Sequence, residues 1–324
     1  ARVSLADGRV IAVKLFPSNA PNASRAAATL RFLYGRGALV PEPLAWGDGA
    51  LGAHGWLAMA WAGDGSLDAA LSGEDAGHPD ASALGLGLVE AVATVEAAFA
   101  PLSAEATPHG ASAMLRQLLA PWIDASPSAL DWLGVTHGKV TSGAHLARIG
   151  AVAMASPLSV GPLDYHAGNV AHVEGGGARM TILDLDHVGW DWPARRMAQY
   201  GFTTGAQQAH FLPRRRNQLG GTFRSVLVMP EVSDAAAAAL ALVHGGEVSA
   251  WREEIFAHAV ILVATAAWHL RQVVEGSADP ARAAAWQNVD KRRAALRALA
   301  DALLAHFERP DACCAHSPTS PPSP

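Results

Sequence analysis

Apolar and polar residues alternate near the start of the chain and settle into helical spacing further on. Residues 2–5 are strand-like, Ala6-Asp7-Gly8-Arg9 supplies a turn, and residues 10–16 alternate around Lys14, so a β-hairpin is predicted over 2–16. Residues 17–23 read as a loop. Residues 24–34 carry Leu30 and Leu33 at helical spacing, with Ser24 as the N-cap and Gly35 or Gly37 as the stop. Val40-Pro41-Glu42-Pro43-Leu44 is a rigid extended entry into another strand. A short apolar strand over 56–61 and a helix start over 66–71 follow. The stretch 73–82 is a flexible connector near the expected boundary between a small β-rich lobe, 1–62, and a larger helical lobe, 63–312.

The second lobe reads as helix after helix. Residues 84–100 form one, with Glu90 and Glu96 breaking its apolar character. Residues 111–120 and 126–133 are two further pieces, and 146–154 is apolar, helical or extended. Residues 160–188 hold two strand-like runs around Glu174-Gly175-Gly176-Gly177. Helices are expected over 195–209, 234–243, 248–274 and 281–307, the last carrying Lys291, Arg292, Arg293 and Arg297. The longest apolar run, 257–268, is interrupted by His258; it is too short for a bilayer and reads as a buried helix. The tail 313–324 is expected to be disordered, with a Pro/Ser-rich end.

Composition narrows the class. The chain has 324 residues, 50% hydrophobic and 16% charged, enough apolar material for a real core. A net charge of -5 gives no general attraction to nucleic acid or to an anionic membrane, so an anionic ligand needs a local site. Cys313 and Cys314 are adjacent and cannot tie separate elements together; with no leader visible, a reducing, cytoplasmic location is expected. His109, His137 and His145 lack ligand spacing for zinc, and no Gly-x-Ser-x-Gly elbow is present. The tryptophans are expected mainly in the core, and Arg214-Arg215-Arg216 as a solvated face.

The chemistry concentrates in Pro162-Leu163-Asp164-Tyr165-His166-Ala167-Gly168-Asn169-Val170, followed by Ile182-Leu183-Asp184-Leu185-Asp186. Phosphoryl transfer needs a carboxylate to orient or deprotonate the attacking hydroxyl, oxygen ligands for Mg²⁺, and a lysine to neutralise phosphate charge. Asp164, Asn169 and Asp184 are of the right types, and a hairpin over 170–183 would bring Asn169 and Asp184 together. Read alone, Asp164 and Asn169 are also ordinary turn caps, and Lys14 an ordinary exposed strand lysine.

In order and spacing these residues resemble the catalytic loop and metal-binding strand of the aminoglycoside phosphotransferase and choline kinase-like family, whose pattern is His-Gly-Asp-x-His-x-x-Asn and then Ile-Asp-x-Glu/Asp. Ile11-Ala12-Val13-Lys14-Leu15 resembles its lysine-bearing strand, the segment from Gly37 through Val40-Pro41-Glu42-Pro43 its Val-Pro-x-Pro turn, and 57–61 with Gly63 the strand entering the hinge. The likeness covers roughly 2–200. It implies an α+β, two-lobed protein-kinase-like fold, with a small antiparallel-sheet lobe and a larger, mostly helical lobe. It also implies ATP and Mg²⁺ as cofactors and transfer of the γ-phosphate to a hydroxyl of an aminoglycoside, choline, an amino alcohol or a sugar. By the same match Asp164 is the catalytic base, Asn169 and Asp184 are Mg²⁺ ligands, and Asp186 is an accessory acid there, or else a helix cap. Lys14 would meet phosphate, Met59, Ala60 and Trp61 the adenine, and His166 would support the loop.

Four departures stand out. The glycine-rich loop and first strand are absent, as if cut away before Ala1, so a longer coding sequence is expected. Ser24-Arg25-Ala26-Ala27-Ala28 offers no acid to pair with Lys14. Pro162-Leu163 replaces His-Gly. Arg196 stands where the family often has Asp, so a buried salt bridge is expected to be changed or absent. An inactive, nucleotide-binding scaffold of the same fold is therefore the competing expectation.

Overall fold

Gly8 takes φ 85°, which lets the first turn close: Leu5 N–H donates to Arg9 O (2.8 Å) and Gly8 N–H to Leu5 O (3.0 Å). This joins β1 (Arg2–Ser4) to β2 (Val10–Phe16) as an antiparallel hairpin. The computed structural model describes residues 1–16, 23–51, 54–63, 65–72, 81–105, 110–135, 143–172, 179–205 and 222–307. The expectations for 17–22, 73–80, 174–177, 206–221 and 313–324, and for His109 and His137, lie outside the described residues.

Helix α1 (Ala23–Gly35) follows, then β3 (Pro43–Leu51) and β4 (His54–Ala60). The sheet order is β1-β2-β4-β3, with each described pairing antiparallel. Ala23, Ala26, Ala27, Leu30 and Leu33 bury one face of α1. Ser24 is not the cap. The helix already starts at Ala23, and Asp48 on β3 accepts from Ser24 N–H (3.2 Å) and from the Ser24 hydroxyl. A carboxylate at a helix start also meets the positive end of the dipole. At the other end Gly37 (φ 77°) completes a Schellman closure, with Ala38 N–H to Leu33 O (3.1 Å) and Gly37 N–H to Tyr34 O (3.0 Å).

The rest is mostly helical. In order come β5 (Gly65–Ser66), α2 (Leu67–Ser72), α3 (Ala81–Glu105), α4 (Ala111–Leu133) and α5 (Gly143–Ala153). Then follow β6 (Ser159–Pro162), β7 (Val170–His172), β8 (Met180–Ile182), β9 (Val188–Asp191) and α6 (Pro193–Tyr200). The last elements are β10 (Phe202–Thr203), β11 (Arg224–Ser225), α7 (Pro230–His244), α8 (Val248–Val274), α9 (Pro280–Ala285) and α10 (Val289–Phe307). Strands β5, β7 and β8 make one small sheet, β6 and β9 a second, β10 and β11 a third. The architecture is α+β: a small antiparallel sheet with one helix, then a larger, mostly helical part.

Helix α8 is the hub, packing on α4, α5, α6, α7 and α10. Its buried residues include Trp251, Ile255, Val260, Val263, Ala264, Ala267 and Leu270, which fall on more than one face, as in a core helix. Both α3 and α8 are long and apolar enough to cross a membrane by length and composition, and the run at 257–268 lies inside α8, whose bounds are those expected from the sequence. More than half of each apolar window is buried against protein.

Three further expectations change. The pieces 111–120 and 126–133 are one helix, α4, running through Pro121 and Pro127. An internal proline costs about 3 kcal/mol, and burial of Leu115, Leu119, Leu130 and Leu133 opposes that. The helix from 195 ends at Tyr200, where Gly201 starts the turn into β10. The long helix 281–307 is broken between α9 and α10, where Asn288 adopts φ 57°. Buried Arg292 answers the break by donating to Gln287 O (2.9 Å), Ala285 O (3.4 Å) and Thr204 O (2.6 Å). Burial pulls its pKa down to about 10. The ambiguous 146–154 segment is helical, within α5.

The segment between α1 and β3 ties the lobes together. Leu39 N–H donates to Thr94 Oγ1 of α3 (2.9 Å), and Leu39 O accepts from Ile182 N–H of β8 (2.9 Å).

Candidate functional site

The loop 163–169 hangs between two strand pairs. The β6–β9 pairing runs from Ser159↔Asp191 to Pro162↔Val188 and is extended by Leu163 N–H to His187 O (2.9 Å). The β7–β8 pairing begins at Val170↔Ile182, and Leu183 N–H to Asn169 O (2.7 Å) carries the ladder one step further. Asn169 and Asp184 are therefore neighbours across a hairpin end, and Asp184 follows directly as the chain leaves the ladder.

Asp184 has φ 57°, a left-handed conformation uncommon outside glycine. Such strain persists where the surroundings fix it, and it turns the chain so that Asp184 and Asp186 share one partner. That partner is Lys14, from β2 of the other lobe. Its ammonium donates to Asp184 Oδ1 and to Asp186 Oδ2 (2.5 Å). Burial works against the charged lysine, but the hydrogen bonds and charges of the two carboxylates outweigh it and hold Lys14 above the ordinary lysine value. The acid that α1 lacks is thus supplied from the opposite lobe.

Asp164 is half exposed, with His166 Nε2 at 3.6 Å from its Oδ1. Asn169 Nδ2 donates to Asp164 O (2.9 Å), which ties the ends of the loop together and leaves the amide oxygen as the group free to ligate. Met59 and Ala60 lie at the end of β4, opposite Ala12 and Ile11, and Trp61 follows with the Arg2 guanidinium 5.1 Å above its ring. The Ala60 N–H donates to Glu42 O (2.9 Å).

Among the described residues, no three or more His, Cys, Asp or Glu side chains gather into a metal site. The donor set is instead two carboxylates already drawn around one cation, with an amide oxygen one ladder step away. This suits Mg²⁺, which keeps several waters and takes its remaining ligands from phosphate.

Behind the loop lies a charged assembly that sequence reasoning only half saw. Arg196 is fully buried and bidentate to Glu96 of α3, at 2.6 and 2.7 Å. It also donates to Ser159 O (3.3 Å), Asp191 O (3.2 Å) and Ser159 Oγ. The salt bridge expected to be changed is present with its partner placed on another helix. Burial alone would raise the Glu96 pKa; the Arg196 charge and a hydrogen bond from His244 (3.1 Å) overcome it and bring it down to about 2. Asp191 accepts from the hydroxyl of Tyr165, from Arg195 (3.1 Å) and from Trp192 N–H (2.8 Å). Burial, aided by that carboxylate, pushes the Tyr165 hydroxyl well above its ordinary value and keeps it a donor. Glu96 within an apolar helix was the available signal, because a buried charge must find a partner.

Two solved structures are similar over most of their length. One, provisionally called an aminoglycoside phosphotransferase, from Ralstonia eutropha JMP134, is 12% identical with a TM-score of 0.46, over 93% of this chain and 87% of that one. The other, an aminoglycoside-3'-phosphotransferase of type VIII, is 18% identical with a TM-score of 0.38, over 80% and 86%. No curated protein sequence matches the chain. The sequence profile of the phosphotransferase enzyme family known as APH matches residues 2–227, and the chain belongs to that family.

Proposed function

We propose that this protein transfers the γ-phosphate of Mg²⁺-ATP to a hydroxyl of a small molecule, of the aminoglycoside, choline, amino alcohol or sugar type. The observation that carries the reading is the meeting of Lys14, Asp184 and Asp186 across the two lobes, beside Asn169. In this reading Asp184, Asp186 and the amide oxygen of Asn169 would hold Mg²⁺. Mg²⁺ when bound neutralises phosphate charge. Lys14 moves its ammonium from the carboxylates to phosphate oxygens. Asp164 orients the acceptor hydroxyl and takes up its proton, and the loop tie from Asn169 holds Asp164 in place. Met59, Ala60 and Trp61 flank the adenine.

The test is Mg²⁺-dependent ATP consumption with a panel of hydroxyl acceptors, measured for the chain and for Asp164→Asn. Acceptor-dependent turnover that Asp164→Asn abolishes is expected. No turnover and no nucleotide-induced rise in melting temperature would overturn the reading. The competing reading, a nucleotide-binding scaffold, draws on the absence of an acid on α1. It gains if ATP stabilises both forms and neither turns over. The proposed location is the cytoplasm, with no nucleic-acid or membrane partner, and the proposed division is 1–62, 63–312 and a tail.

A further inference from the structure

The buried assembly behind the loop is connected in one direction. Glu96 fixes Arg196, which spans Ser159 on β6 and the Asp191 carbonyl on β9. The Asp191 carboxylate then receives the Tyr165 hydroxyl, and Tyr165 is bonded in sequence to Asp164. The packing at Gly161 is close: a Cβ there would lie 2.6 Å from the Arg196 guanidinium carbon. The Tyr165 ring is held between Tyr200 (centroids 6.2 Å apart) and the Arg195 guanidinium (5.8 Å).

We propose that Tyr165 is a positioning residue, through which the buried Glu96–Arg196–Asp191 frame aims Asp164. The inference rests on the phosphotransferase reading for its kinetic consequence, and on geometry alone for its effect on the loop. A group that only positions another should affect the chemical step and leave nucleotide binding nearly intact. Tyr165→Phe removes one oxygen and keeps the ring, so it separates aim from packing.

The experiment compares wild type, Tyr165→Phe, Asp191→Asn and the double variant by thermal melting, amide hydrogen exchange over 163–170, and Mg²⁺-ATP turnover. Tyr165→Phe is expected to melt close to wild type, to exchange roughly tenfold faster in that loop, and to lose ~10-fold or more in kcat with KM for ATP nearly unchanged. The double variant should be no worse than Asp191→Asn, since the two side chains act through one bond. Unchanged loop exchange in Tyr165→Phe overturns the proposal, as do additive losses or a loss confined to KM. If Asp191→Asn does not fold, Tyr165→Phe alone decides. If wild type turns over nothing, the function reading fails separately, and the exchange comparison still decides whether the frame holds the loop.

Discussion

Two charged clusters meet the loop 163–169, and they are built on opposite terms. In the first, Lys14 reaches across the lobes to Asp184 and Asp186, with side-chain exposures of 30%, 37% and 12%. In the second, Arg196 and Glu96 are essentially sealed, at 0% and 1%. The distances are alike, so contact geometry does not separate them. Solvent does. The exposed cluster has a long flexible cation that water or a ligand can replace; the sealed cluster has every Arg196 nitrogen engaged by protein. Exchangeable charge suits binding, and saturated charge suits holding a shape.

The contrast is broken most directly at Arg196. Arg196→Met leaves the Glu96 carboxylate buried without its main partner, and loss of about 3–5 kcal/mol is expected from urea denaturation. A loss under about 1 kcal/mol would mean that water enters the site and that the two clusters are not different in kind.

Acid tests the same pair without mutation. The Glu96 pKa is lowered in the fold, from 4.5 to about 2. A depressed carboxylate contributes stability above its unfolded pKa and loses it as pH falls through the folded one. Stability should therefore fall between pH 4.5 and about 2, by on the order of 3 kcal/mol from this group. Glu96→Gln should remove that limb of the denaturation profile, while starting from a less stable protein. An unchanged acid limb in Glu96→Gln would reassign it to other carboxylates.

At Lys14 the balance reverses. Lys14→Met should cost little stability, within about 1 kcal/mol, because the pair it breaks is partly solvated. Turnover should fall ~100-fold, through lost stabilisation of phosphate charge. A stability loss as large as that at Arg196 would make Lys14 an interlobe strut.

Much of this was legible in the chain, for identifiable reasons. The hairpin at 2–16 follows from alternation and from a glycine where positive φ is needed. The approach of Asn169 and Asp184 follows from the length of the strands between them. The family relation adds to both. What failed was punctuation set by distant partners. Ser24 has the residue type of a cap, but the acceptor is Asp48 from β3. The pattern separates 111–120 from 126–133, but packing on α8 carries one helix through both, past Pro121 and Pro127. The pattern shows no break at 286–288, because the arginine that stabilises it looks like a surface residue of a basic helix. The partner of Arg196 lies 100 positions away, beyond any local pattern.

The smallest effect is the control on which the comparison depends. Arg252 and Asp234 form an ion pair between α8 and α7 as close as any above, with side-chain exposures of 36% and 55%. If proximity set the energy, Asp234→Ala would be as damaging as Arg196→Met. If desolvation sets it, the change should stay within about 0.5 kcal/mol and shrink further in high salt, since water already solvates both groups. A larger loss would have to come from something other than the pair, and a double-mutant cycle with Arg252→Ala would show whether it does. With Asp234 near zero, Lys14 small in stability and large in rate, and Arg196 large in stability, burial rather than distance orders the three ion pairs.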